Sequence, residues 1–215
     1  ARLGLTTDAA TELRALLVRA DATPDQIAQA IVSLRQTLGV AGSDEVSRLQ
    51  QERLAAMGTD PQRSAFALAL ADAWAAVNDL VAARASLEGA LGGVVAVDER
   101  TELQLRLARA EADGGDSEAA RVHYGELADG ARGADARLGA AELLERMGRG
   151  DEATALLTPL LDAPEPDIRA RALMAMATTS ERAGDAAAAL TGVRAILDLD
   201  GVPPSVMDGA RILLA

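Results

Sequence analysis

Cysteine and lysine are both missing from this 215-residue chain, and histidine occurs once, at His123. Without cysteine there is no thiolate nucleophile, and without lysine there is neither a Schiff base nor a phosphate-loop lysine. One histidine cannot assemble a multi-histidine metal site or a zinc protease motif. Beside Tyr124 on a helix, it reads as a surface or partly packed residue. Rings are scarce too, since Phe66, Trp74 and Tyr124 are the only aromatic side chains of these types. A core of this size normally draws much of its buried area from rings. Alanine, the most abundant residue, and leucine must supply it instead, which suits helices packed closely with small residues between them. The expected fold class is all-α.

The charge balance is one-sided, with 33 acids against 21 bases and a formal net charge of −12. Every base is arginine. An acidic surface without a basic stripe or aromatic platforms lacks both main ingredients of nucleic-acid affinity, so nucleic acid is not expected as a partner. Abundant Ala, Arg, Gly and Asp with no Lys looks like GC-rich coding and points to a bacterial source. No apolar run approaches the ~20 residues needed to span a bilayer, and no charged-then-apolar signal segment opens the chain. The chain starts on Ala1 rather than Met, leaving room for a leader or a larger N-terminal part. Absence of cysteine leaves cytoplasm and periplasm both open.

What is abundant is periodicity. Bend markers fall at Asn78, Gly115, Gly148 and Gly184, spaced 37, 33 and 36 residues apart, each followed at once or after two residues by an acid and then by an alanine-rich helical stretch. Self-similarity at this period signals stacked helix pairs rather than one core. Spacing of apolar residues predicts helices at 8–20, 24–38 and 44–57, with Thr23-Pro24 and Ser43-Asp44 as starts and Gly39 and Gly58 as stops. From Asp60-Pro61 onward the pairs are 62–77 with a shorter helix to Leu91, 98–113 with 116–128, 134–147 with 151–162, and 167–183 with 185–198. Pro203-Pro204 starts a last helix that runs to Ala215. Pro159 should kink or end its helix early.

Each second helix carries a small residue facing its partner and larger apolar residues one and two turns on: Ala83, Leu87 and Ala90; Ala120, Tyr124 and Leu127; Ala153, Leu157 and Leu160; Ala189, Val193 and Ile196. Spacing of four then three puts each triplet on one face. With these residues the chain resembles the tetratricopeptide repeat (TPR) family, over about 62–200 and in four copies. A weaker copy precedes them around Leu34, Leu38, Gly42 and Leu54. Leu70, Ala71 and Trp74 match the family's large–small–aromatic pattern best; Glu111, Leu144 and Ser180 replace the aromatic in the later copies. The resemblance implies a right-handed superhelical solenoid of antiparallel helix pairs. The expected organisation is an N-terminal helical segment with a degenerate repeat at 1–59, four repeats at 60–200, and a capping helix or truncated next repeat at 201–215. Ala83, Ala120, Ala153 and Ala189 should mark the closest helix–helix approaches, with Ala112 on a more open face. Trp74 should be the most buried ring.

Acids are many, yet Glu102 with Arg106, Glu142 with Arg146, Glu145 with Arg149 and Asp167 with Arg171 stand at the i, i+4 spacing of a solvated face, each pair contributing only ~0.2–0.5 kcal/mol. Gly92-Gly93 and Gly114-Gly115 are turn glycines between helices and not phosphate cradles, because no strand precedes them. Met174 and Met176, two residues apart, face different ways and read as packing.

In the TPR family the first helices line a concave groove, and the resemblance points Asp72, Glu102, Arg106, Arg109, Glu142, Glu145, Arg146, Arg171 and Arg182 toward it. Asp72 and Arg109 stand where chaperone-binding members place a clamp asparagine, which disfavours recognition of heat-shock chaperone tails. The expected function is a non-enzymatic scaffold for a peptide or protein partner, without cofactor or metal, acting as part of a larger chain or complex. Two alternatives stay open: a structural subunit of a multi-protein assembly, and the helical sensor region of a larger bacterial regulator or signalling protein.

Overall fold

The computed structural model describes residues 2–19, 21–57, 61–93 and 96–213. The Gly58 stop, Asp60 of the next start, and Ala215 at the end of the last helix lie outside the described residues. All regular structure among the described residues is helical, and no described helix is long and apolar enough to cross a membrane. The chain divides into two compact units, Ala1–Asp116 and Ser117–Ala215.

The first unit contains α1 (Arg2–Leu17), α2 (Pro24–Leu38), α3 (Ser43–Ala56), α4 (Pro61–Ala76), α5 (Leu80–Leu91) and α6 (Val97–Asp113). Local chemistry fixes the ends. Thr23 and Gln26 form a reciprocal capping box at the start of α2, with Pro24 in the first turn. The same helix stops at Gly39, whose φ of 64° lies in the region that glycine enters without steric penalty. Helix α1 starts earlier and stops earlier than its apolar spacing predicts. Helices α2, α4 and α6 lie side by side in that order, while α3 and α5 pack on one another. Their shared core holds Ile27, Ile31, Leu34, Phe66, Leu70, Trp74, Leu87 and Leu103. Phe66 is fully buried and Trp74 nearly so, so the first place expected for Trp74 goes to Phe66.

The second unit contains α7 (Ser117–Leu127), α8 (Gly133–Arg146), α9 (Gly150–Leu157), α10 (Pro166–Arg182), α11 (Ala186–Leu197) and α12 (Pro204–Leu213). Pro159 acts as the sequence predicts: α9 ends at Leu157, and a 3₁₀ turn over Thr158–Asp162 carries Leu160 into the core. Met176 packs on the core around Leu144 and Leu157, whereas Met174 packs on the next one, around Val193 and Ile196.

The four turns use one backbone device. Asn78, Gly115, Gly148 and Gly184 all have positive φ, between 59° and 85°. In each, the following N–H bonds back to the carbonyl five residues earlier: Asp79 to Trp74, Asp116 to Glu111, Arg149 to Leu144, Asp185 to Ser180, all at 2.9–3.0 Å. This is the Schellman closure of a helix C-terminus. Asp79 and Asp185 then serve as N-caps of α5 and α11, accepting from the N–H of Ala82 and Ala188.

Two expectations need correction. Ala83, Ala120 and Ala153 are buried, but Ala189 is only half-buried. The close approach in the last pair has moved to Gly192, where an added Cβ would sit 3.3 Å from that of Ala177. Ala112, assigned to an open face, is buried. It lies one position beyond the buried Glu111 on the inward side of α6.

Candidate interaction surface

In the first unit, the face shared by neighbouring first helices brings Asp72 of α4 onto Arg106 of α6, an ion pair across 34 residues of sequence. Burial, and then the nearby Arg109, hold the Arg106 guanidinium below its ordinary pKa, with Asp113 acting the other way. Arg109 is exposed and pairs with no acid among the described residues. Glu102 is half-buried on the same helix, one turn before Arg106.

The second unit repeats the theme between α8 and α10. Arg182 reaches Glu145 at 3.5 Å, and Arg171 reaches Asp135 at 2.8 Å while also lying 3.6 Å from Asp167. Burial pushes the Asp135 carboxyl up, but hydrogen bonds from Arg171 and Arg132 outweigh it, and the group sits below the usual carboxylate range. Glu142 and Arg146 are exposed.

The expected i, i+4 pairs are therefore largely replaced. Asp167–Arg171 forms as predicted. Arg149 instead pairs with Glu152, and Glu145 with Arg182 on the next first helix. Glu142 makes no ion pair among the described residues, and Arg106 is taken by Asp72. The reason is geometric. A repeat of 33 to 37 residues sets matching points of adjacent first helices side by side, and a partly dehydrated cross-helix pair is screened less than a pair along one solvated helix. Most of the residues read as groove charges thus hold neighbouring helices together.

One series escaped the sequence reading. Arg63, Arg100, Arg137 and Arg169 stand near the start of α4, α6, α8 and α10, and each reaches back to the segment before its helix. Arg63 donates to the carbonyls of Leu54 and Gly89 at 3.0 and 2.9 Å, at the ends of α3 and α5. Arg169 donates to Ala163, Arg100 to Gly93, and Arg137 pairs with Asp129. A guanidinium at a helix C-terminus satisfies late carbonyls and suits the negative end of the dipole. The signal was the spacing of 37 between the first three arginines.

No protein-family model matches the chain, and no curated protein matches it. Among solved structures, it is similar to a kinesin light chain from Podosopora anserina with nearly identical TPR-like repeats. The two are 17% identical, with 89% of this chain and 96% of that chain covered at a TM-score of 0.48.

Proposed function

We propose that the chain is a non-enzymatic interaction scaffold that offers the face of its first helices to a peptide or protein segment. Its proposed organisation is a helical segment with a degenerate repeat at 1–59, four TPR-like repeats at 60–200 and a capping helix or truncated next repeat at 201–215. The observation that carries the reading is Arg109: an exposed guanidinium on a first helix, next to the ion-paired Arg106 and in no ion pair among the described residues. Such a group can take a carboxylate in a two-pronged, charge-assisted contact even on a chain of net negative charge. Glu142, exposed on α8, offers the opposite charge.

The clean test is Arg109→Ala. Because Arg106 is tied to Asp72, a change at Arg106 would disturb the packing of α4 on α6 as well as any partner. Peptides selected on an array by the unaltered protein should lose most of their binding to Arg109→Ala, with helicity and melting unchanged. Full retention would move recognition off this face.

A further inference from the structure

A second surface lies at the edge of the first unit, where the α4–α5 turn and the start of α5 meet the end of α6. They enclose a cleft of about 840 Å³. Two features set it apart from ordinary solvated surface. Val77 and Val81 both line it, 40% and 81% exposed, so a concave wall presents two branched apolar side chains to water. Five carboxylates line it as well, those of Asp79, Glu88, Glu111, Asp113 and Asp116, against the single cation Arg84.

That cation is already committed. Arg84 lies 2.7 Å from Glu88, 2.8 Å from Asp116 and 3.4 Å from Glu111, and these contacts, the hydrogen bonds it donates to Glu88 and Asp116 foremost, raise its pKa. Asp79 caps α5 and so offsets the positive end of that helix dipole. The end of α6 adds its negative pole on the opposite wall. The lining therefore keeps a net negative field around an apolar floor.

We infer that this cleft docks a basic segment of a partner protein, one that sets an aliphatic side chain against Val77 and Val81 and places arginine or lysine beside Asp113 and Asp116. Charge complementarity selects the occupant. A second copy of this chain is disfavoured, since it carries a net charge of −12 and no lysine. Buried apolar contact supplies the affinity and the flanking carboxylates supply rate and orientation. Neither Asp72 nor Arg109 lines the cleft, although its Asp113 also acts on Arg106 of the first-helix face.

The test is a titration of the ¹⁵N-labelled full chain with a synthetic amphipathic peptide of leucine and arginine, and with its leucine–glutamate counterpart. The basic peptide should cause saturable amide shifts concentrated at 77–85 and 110–116, and the acidic one none there. Val81→Arg, at an exposed position, should weaken binding by roughly tenfold or more, with melting unchanged. Arg109→Ala should leave it intact. The inference falls if the shifts spread evenly over the acidic surface, if they centre on Asp72 and Arg109, if Val81→Arg binds as well as the unaltered protein, or if the basic peptide does not bind.

Discussion

At the carbonyl that closes its inter-helix turn, the first unit places Trp74 and Glu111, whereas the second places Leu144 and Ser180. The backbone is the same in all four: a left-handed residue, then a bond back across five residues. The side chains share almost nothing. Trp74, Glu111 and Leu144 are buried, and Ser180 is half-buried. The turn thus depends on one position with positive φ, and the side chain beneath it is free to vary provided its own burial is solved locally. A leucine needs only apolar neighbours. A buried glutamate needs a cation, which α5 supplies as Arg84.

The largest expected effect contrasts the two ends of that range. Trp74→Ala should destabilise by about 3–5 kcal/mol through lost burial and a cavity, while Ser180→Ala should stay within about 0.5 kcal/mol. Denaturant unfolding measures both, and the fluorescence of the lone tryptophan should be blue-shifted and hard to quench. Comparable losses at the two sites would mean that the turn residue is not what the first unit packs around.

Next comes the buried charge. Arg84→Ala should cost about 3 kcal/mol, the low end for breaking a buried pair, because the arginine is itself partly exposed. Glu111→Leu, which copies the second unit's solution, should be neutral or stabilising. Adding Glu111→Leu to Arg84→Ala should recover most of the loss. A double-mutant cycle reads this directly, and additive losses would show that Arg84 acts through Glu88 and Asp116 alone.

Much of the architecture was legible because it is written in residues with few conformational choices. Asn78, Gly115, Gly148 and Gly184 announce the turns, Thr23-Pro24 announces a start, and Pro159 announces an early stop. Apolar spacing then places most second-helix contacts, down to Ala83, Ala120 and Ala153. The surface was harder to read. Helical spacing predicts partners along one helix, but Asp72, Glu145 and Arg171 find theirs on a neighbouring first helix, a choice set by how the helix pairs stack. The arginines that reach preceding carbonyls were hidden for the same reason. Ala189 was misplaced because α11 approaches α10 through Gly192, and a missing Cβ leaves no apolar mark to count.

Close packing sharpens the comparison within the second unit. A Cβ added at Gly139 would stand 2.6 Å from the Tyr124 ring, whereas one at Gly125 meets nothing within 4 Å. Gly139→Ala should therefore cost ~1–3 kcal/mol, as overpacking does, and Gly125→Ala should stabilise by up to ~1 kcal/mol through helix propensity. Ala120→Leu belongs with Gly139, and Ala187→Leu, at an exposed position of α11, belongs with Gly125. Melting midpoints that fail to separate the two groups would undo the register of the helix pairs.

The smallest effect tests whether ion pairs across first helices matter more than those elsewhere. Asp135, between Arg171 and Arg132, and Glu45, bonded by Arg14 across 31 residues, both sit below their ordinary pKa values. A carboxylate with a depressed folded-state pKa stabilises fully above its unfolded value of about 3.9 for Asp or 4.3 for Glu, and that contribution is lost as pH falls through the folded-state value. At pH 7, Asp135→Asn should cost about 1 kcal/mol, because its carboxylate is the less exposed and joins two first helices. Glu45→Gln should cost less. Both differences should shrink on acidification and vanish once the native carboxyls are protonated. A loss for Asp135→Asn that stays constant down to pH 2 would assign its role to the shape of the side chain, and a larger loss at Glu45 would reverse the ranking of the two units.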